Sequence, residues 1–180
     1  MSEATTWRQQ LVETHPEVFD RRFRGVRGYP TCSDGWRDLV TKLVERVCAA
    51  SAGYPVHFTR MSEEFGTLRI HWTAEARLPP ATERAVQDAI AVAEARSACT
   101  CQTCGAEGRL YSSGSWLLTA CPAHARGVAV PVRPGTENVH VVRGFSADGT
   151  PQLVRRRYDR ETDSFVDIPD LFAENEGAVS

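Results

Sequence analysis

Two pairs of residues of metal-ligating type constrain the possible fold of this chain more than any other sequence feature. Cys101 and Cys104 form a Cys-x2-Cys pair, and Cys121 and His124 form a Cys-x2-His pair 16 residues further along. In structural sites Zn²⁺ prefers a closed tetrahedron of thiolate and imidazole ligands. The four residues therefore predict a structural zinc site, with Cys99 as an alternative to Cys101 as ligand. Hydrolytic zinc chemistry is disfavoured because it needs an open position for water.

The residues between the two pairs predict a zinc finger over 99–126. Arg109–Ser112 and Ser115–Ala120 are expected to form a hairpin around Ser113-Gly114. Pro122 suits the first turn of a helix that would carry Cys121 and His124. The Cys-x2-Cys turn at 101–105, called the knuckle below, is followed by a hairpin and then by ligands at the start of a helix. This is the order of elements in a treble clef.

The rest of the chain predicts an α+β fold. A chain of 180 residues buries enough surface to have a core without metal or disulfides. Helical spacing of apolar residues predicts one helix after Ser33 or Asp34 and another from Pro79-Pro80 to about Ser97. A Thr-x-x-Glu capping box at 14–17 predicts a short helix that starts there. Cys32, Cys48 and Cys99 are interpreted as structural thiols whose partners the sequence does not identify.

Alternating apolar and polar residues predict a β-hairpin from 56–61 and 67–74. Centring its turn on Glu64 would pair Val56 with Trp72 and would make His57 and His71 cross-strand neighbours. Four further strands are expected at 128–132, 139–145, 152–158 and 164–168, the middle two joined by an Asp148-Gly149 turn. The predicted organisation is an α+β domain over 1–126, a β extension packed on it over 127–168, and an acidic flexible tail over 169–180.

Several short motifs occur in a characteristic order along the chain. They are Cys32-Ser33-Asp34-Gly35-Trp36, Glu63 to Arg69, Ala93 to Ser97, Cys101 to Cys104, and Trp116 to Ala125. Together they resemble an uncharacterised family of small phage and prophage proteins over residues 23–126. In that family the second motif reads like Lys-Glu-Lys-Phe-Gly-Gly-Leu-Arg, from which Ser62, Glu64 and Thr67 depart. The resemblance implies a zinc-binding protein of a mobile element and brings no established activity.

The net charge of −2 means that the chain as a whole has no positive electrostatic field that would attract nucleic acid. Residues 101–158 nevertheless carry 7 basic and 3 acidic groups, whereas residues 159–180 carry 1 and 7. The acidic tail is therefore expected to compete for the arginine-rich segment. No apolar run is long enough for a membrane helix, and the first 20 residues lack a signal peptide's pattern, so a cytoplasmic protein is expected.

The leading functional hypothesis is a non-enzymatic module that binds a host or phage protein, since a closed zinc site supports a surface rather than a reaction. The alternative is a nucleic-acid-binding accessory protein. For either role the expected contact residues are Arg109, Arg155, Arg156, Arg157 and Trp116.

A second alternative is a small enzyme that uses His57 and His71, with Arg69 nearby, on an anionic substrate. If Arg69 has only a structural role, it is expected to form an ion pair with a nearby glutamate such as Glu94.

Overall fold

The computed structural model describes residues 6–20, 25–145 and 150–168. The chain divides into two compact units, residues 1–131 and 132–180. The elements of the first unit are α1 Trp7–Thr14, β1 Pro30–Thr31, a 3-10 helix Asp34–Trp36, α2 Arg37–Ala50, β2 Val56–Glu64, β3 Thr67–Ala74, α3 Pro80–Ser97, β4 Arg109–Ser113, β5 Trp116–Ala120 and β6 Val128–Ala129. These helices and sheets confirm the predicted α+β class.

The main core of the first unit lies between α2, α3 and the sheet β1-β2-β3. The predicted stripe of α2 is buried, with Leu43, Val44 and Val47 fully inaccessible. Val86 and Ala93 supply the facing side of α3. The helical periodicity that predicted α2 and α3 is thus confirmed by their packing.

The first helix lies before the position that the sequence predicted. Its capping box is formed by Thr6 and Gln9, and α1 ends at Thr14, where the predicted helix begins. Pro16 disfavours the helical conformation for the residue before it, and His15 accordingly leaves the helical region with φ −124° and ψ 57°. The prediction of a helix starting at residue 14 was therefore wrong.

The first hairpin exists, but its predicted register was wrong. Its turn is only two residues long, Phe65-Gly66, with positive φ at both, and this turn together with a bulge further along pairs Val56 with Ala74 rather than with Trp72. The pairing skips Thr59 and resumes at Arg60 opposite His71. This bulge brings Met61 onto the buried face together with Phe58.

The second unit contains a three-stranded antiparallel sheet in the order β7-β8-β9. Its strands are β7 Val139–Phe145, β8 Pro151–Asp159 and β9 Ser164–Asp167. Val142 and Tyr158 are buried on one face, and the Tyr158 hydroxyl donates to Asp163 Oδ1 at 2.7 Å. The predicted strands at 139–145, 152–158 and 164–168 are confirmed, whereas that at 128–132 is reduced to β6, Val128–Ala129. The Asp148-Gly149 turn and the 169–180 tail lie outside the described residues. Strand β6 pairs with β4, so it belongs to the sheet of the first unit.

Candidate metal centre

The first ligand pair lies in a tight turn between α3 and β4. The Cys101 N–H donates to the carbonyl of Ala106 at 2.8 Å, and the Gly105 N–H donates back to the carbonyl of Cys101 at 2.9 Å. Gly105 has φ +76°, which a glycine adopts without strain. These bonds wrap the backbone around Cys101, which is buried, and leave Cys104 exposed.

The second ligand pair follows β5, which forms the predicted hairpin with β4. The turn between these strands is Gly114-Ser115, one residue later than expected, because Ser113 pairs with Trp116. No helix carries the ligands: residues 122–124 form a turn in which the His124 N–H donates to the carbonyl of Cys121 at 3.0 Å. The treble-clef prediction was therefore wrong in its last element.

The four ligand atoms have the spacing of a tetrahedral metal site. Cys104 Sγ lies 3.7 Å from Cys121 Sγ, and His124 Nδ1 lies 3.2 Å from Cys121 Sγ and 3.6 Å from Cys101 Sγ. All four atoms lie within 4.8 Å of one another. Zn–S bonds of ~2.3 Å and Zn–N bonds of ~2.0 Å give tetrahedron edges of ~3.8 Å between sulfurs and ~3.5 Å between sulfur and nitrogen. The side chains can therefore hold one metal ion, with Nδ1 as the histidine ligand atom. Cys99 is not in the cluster; its Sγ donates to the Arg96 carbonyl at 3.3 Å.

Backbone dipoles favour a thiolate at the centre of this cluster. Burial disfavours the charged form of Cys101, but N–H groups of Cys121, Cys104 and Thr103 outweigh it and lower the pKa of Cys101 to about 6. The Ala106 N–H acts in the same direction on Cys104, but desolvation and the neighbouring sulfurs raise the pKa of that thiol. A negative charge on Cys101 thus disfavours a second negative charge on Cys104, and a bound dication would relieve the repulsion between the two thiolates.

The knuckle is fixed to the helical part of the first unit by the Gly35-Trp36 segment. The Gly35 N–H donates to the carbonyl of Gln102 at 2.9 Å. The indole N–H of the fully buried Trp36 donates to the carbonyl of Thr100 at 2.8 Å. The residues beside the predicted ligands are therefore hydrogen-bonded to the segment that precedes α2.

The turn of the first hairpin contacts the metal-site hairpin. The Thr119 hydroxyl, which is completely buried, donates to the Gly66 carbonyl at 2.7 Å. The Leu68 N–H donates to Ser97 Oγ at 2.8 Å, which joins the same hairpin to the end of α3. The motifs around Gly35, Gly66, Ser97 and the ligand pairs, although far apart in sequence, are thus neighbours in the fold.

A groove lies beside the second ligand pair. It has a volume of about 530 Å³, and its lining includes Thr103, Trp116, Leu118, His124 and Arg126. Trp116 is 77% exposed although it is the largest apolar side chain there. The same groove is therefore lined by an exposed aromatic side chain and by His124, one of the four predicted ligands.

The predicted arginines lie in strands of both units, Arg109 in the first and Arg155–Arg157 in the second. Arg109 lies in β4, where its Nε donates to the Tyr111 hydroxyl at 3.4 Å and its guanidinium lies 5.5 Å from the Tyr111 ring centroid. In β8, successive residues point to opposite faces, so Arg156 is separated from Arg155 and Arg157. Arg156 pairs with Asp167 at 3.1 Å, and Arg157 donates to the Gly135 carbonyl at 2.7 Å.

The two histidines of the enzyme alternative are not cross-strand partners. His57 lies opposite Thr73, and His71 lies opposite Arg60. His57 lines a groove of about 430 Å³, and its Nε2 lies 3.3 Å from Glu75 Oε1. Arg69 lies 3.6 Å from Glu94, as expected if Arg69 has a structural role. The pairing on which the enzyme alternative depended was therefore wrong.

A second group of metal-ligand residue types, which sequence reasoning missed, lies elsewhere in the first unit. His15, Glu17 and Cys48 place one ligand atom each within 4.8 Å of the others. No spacing signal could have found them, because Cys48 is 31 positions from Glu17 and only the packing of α2 against the residues after α1 brings them together.

No helix in the described part of the chain is both long and apolar enough to cross a membrane. Comparisons with protein-family models, with curated proteins and with solved structures found no match.

Proposed function

We propose that this chain is a zinc-stabilised, non-enzymatic binding module that engages a protein partner through the groove beside its metal centre. The observation that carries the proposal is the closed set of four ligands at the edge of a groove with an exposed tryptophan. Origin in a phage or another mobile element, which the motif resemblance implies, remains part of the proposal.

The ligand set supports zinc in a structural role. Three thiolates and one imidazole bind Zn²⁺ in preference to harder cations such as Mg²⁺ and Ca²⁺, which favour oxygen ligands. Four protein ligands complete a tetrahedron, so the ion has no position for water or substrate and acts as a cross-link between two turns. In that role the metal fixes the walls of the groove.

The groove supports recognition of a protein segment. Exposed tryptophan and arginine side chains contribute most strongly to protein interfaces, and both Trp116 and Arg126 line this groove. Trp116 leaves most of its surface exposed to water. A partner that covers Trp116 would remove this apolar surface from solvent.

Nucleic acid is less well supported. Phosphate binding depends on basic groups that can exchange solvent counterions for phosphate. Arg156 and Arg157 are already paired with Asp167 and with the carbonyl of Gly135 in the chain's own fold. Contact with a phosphate would therefore have to replace these interactions.

Co-purification of the full chain from cells that carry its gene tests the proposal. We expect wild-type protein to retain a protein partner at about 1 M salt, where the Debye length is only about 3 Å. Trp116→Ala should lose that partner, whereas Tyr54→Ala is the matched control, since Tyr54 is 43% exposed and follows the far end of α2.

Two results would contradict the proposal. If Trp116→Ala retains the same proteins as wild type, the groove is not the interface. If only DNA or RNA is retained, and is released as salt rises, the chain binds nucleic acid instead.

A further inference from the structure

The second ligand cluster is built from two segments that the fold holds together. His15 follows α1 and donates its N–H to the carbonyl of Leu11 at 3.1 Å, and the Val18 N–H donates to the carbonyl of His15 at 3.2 Å. This turn places His15 and Glu17 on the same side. Cys48 approaches them from α2, directly after the fully buried Val47. The packing of α2 against the residues after α1 therefore brings the three side chains together.

The three ligand atoms have nearly equal separations. Cys48 Sγ lies 3.1 Å from Glu17 Oε1 and 3.6 Å from His15 Nδ1, and that Nδ1 lies 3.4 Å from Glu17 Oε1. Metal–ligand bonds of ~2.0 to 2.3 Å in a tetrahedron give edges of ~3.3 to 3.8 Å. Two of the three separations fall in this range, and the third is slightly shorter.

The same geometry argues against a catalytic relay. In a nucleophile–histidine–carboxylate triad, the two ring nitrogens contact different partners. Here Nδ1 of His15 faces both Cys48 and Glu17, and Glu17 also contacts Cys48 directly. Three ligand atoms that converge on one point fit an ion better than a proton pathway.

We propose that His15, Glu17 and Cys48 form a second metal site, which takes a divalent transition-metal ion such as Zn²⁺ or Co²⁺. The thiolate and the carboxylate would balance the charge of the dication, and imidazole suits the same ions. Three protein ligands leave one tetrahedral position open towards solvent, because the Glu17 side chain is 55% exposed. With one thiolate instead of three, this site holds its ion more weakly than the first centre. The inference is independent of the proposed partner binding.

The competing explanation is a hydrogen-bonded cluster without an ion. Burial and the nearby Glu17 carboxylate raise the pKa of the Cys48 thiol to about 12, so in that state the thiol donates to Glu17. The two explanations differ in whether added metal acquires a thiolate ligand.

Cobalt titration of the full chain, as purified and kept under a phosphine reductant, distinguishes them. With the first centre already loaded, we expect wild-type protein to take up about one further Co²⁺ per chain, accompanied by a sulfur-to-cobalt charge-transfer band. Cys48→Ser and Glu17→Gln should abolish both signals. Both variants keep the size of the side chain, and Glu17 is an exposed residue, so the fold is retained.

Glu13→Gln is the matched control, since it removes an exposed glutamate near the end of α1 without touching the cluster. It should bind like wild type. Uptake without a charge-transfer band, no uptake by wild type, or equal uptake by Cys48→Ser and wild type would each overturn the second site.

Discussion

Gly35 shows how much the metal centre depends on one residue outside it. A Cβ atom at this position would fall inside the van der Waals distance of the carbonyl oxygens of Cys101 and Gln102. Backbone oxygens cannot rotate away as the end of a flexible side chain can. Glycine is therefore needed here because the backbone of the knuckle approaches so closely.

Gly35→Ala should destabilise the protein by about 3 kcal/mol or more, because the knuckle has to move away from the residues before α2. Gly53→Ala is the control: Gly53 has φ +86° but no atom within 4 Å of an added Cβ, so only a backbone cost of about 1 to 2 kcal/mol is expected. Urea unfolding of both variants measures the difference. Equal loss in the two variants would mean that the Gly35 contact is not needed.

Cys104 allows a direct test of the ligand set, since its side chain is exposed and its removal costs little packing. We expect wild-type protein to be purified with about one tightly held zinc ion per chain and Cys104→Ala with almost none. Hydrogen exchange over 101–125 should increase in the variant, because structural zinc contributes on the order of 10 kcal/mol to small domains.

Cys99→Ala is the control for that experiment, since it removes a cysteine close to the cluster whose Sγ donates to the Arg96 carbonyl and is not one of the four ligand atoms. It should keep its zinc. Equal metal content in Cys104→Ala and wild type would contradict the assignment of the first centre.

At the scale of elements, an ion pair joins α2 to α3. Arg96 near the end of α3 donates to Asp38 in the first turn of α2, and Lys42 lies 3.2 Å from the same carboxylate. Burial acts to raise the pKa of Asp38, but the hydrogen bonds from Arg96 and Lys42 outweigh it and hold that pKa below its ordinary value. The pair therefore joins the two core helices at the end of α3 that leads into the turn with the predicted ligands.

The lowered pKa of Asp38 predicts an acid-dependent contribution to stability. A carboxyl group whose pKa is lower in the folded state stabilises the fold above its unfolded pKa of about 3.9, and the effect is lost as pH falls through the folded value. Asp38→Asn should thus cost about 0.5 to 1 kcal/mol at pH 7, a small value because the carboxylate is 65% exposed. Thermal unfolding measured at a series of acidic pH values should show the difference disappearing as the pH falls through the lowered pKa of Asp38. A difference that is constant with pH would contradict this origin.

The two core helices of the first unit could be predicted from the sequence better than the pairing of its strands. Helices α2 and α3 were predictable because their apolar periodicity is satisfied within each helix and then buried as a stripe. The register of β2 and β3 was not, because the bulge at Thr59 and the two-residue turn at Phe65-Gly66 depend on packing that spacing does not encode. The ligand pairs were recognisable since each is local, but the turn at 122–124 replaced a helix because nothing in a Pro-initiated segment requires it to continue.

At the scale of the whole molecule, the chain has two units of unequal content. Residues 1–131 contain the main core, the four ligands of the first centre and the three of the second cluster. In the described part of the second unit, Val142 and Tyr158 are the buried apolar residues of a small sheet. Small sheets with few buried side chains have little stability of their own.

The fragment 1–131 should therefore fold, unfold cooperatively and keep its zinc without the second unit. Circular dichroism, thermal unfolding and metal content of the purified fragment test this expectation against the full chain. A fragment that is soluble but lacks metal, or that aggregates, would show that residues 132–180 are needed to complete the first unit.

The hydrogen bond between Trp36 and Thr100 has a consequence for the order of assembly. It joins positions 64 residues apart, whereas Cys101 and His124, the outermost ligands of the first centre, are only 23 apart. Closing the shorter loop loses less chain entropy, so the ligand turns can meet around an ion before the longer contact forms. We expect the segment 101–124 to bind an ion first as a local unit and then to dock against the residues before α2, so the timing of metal supply would set when this docking contact forms.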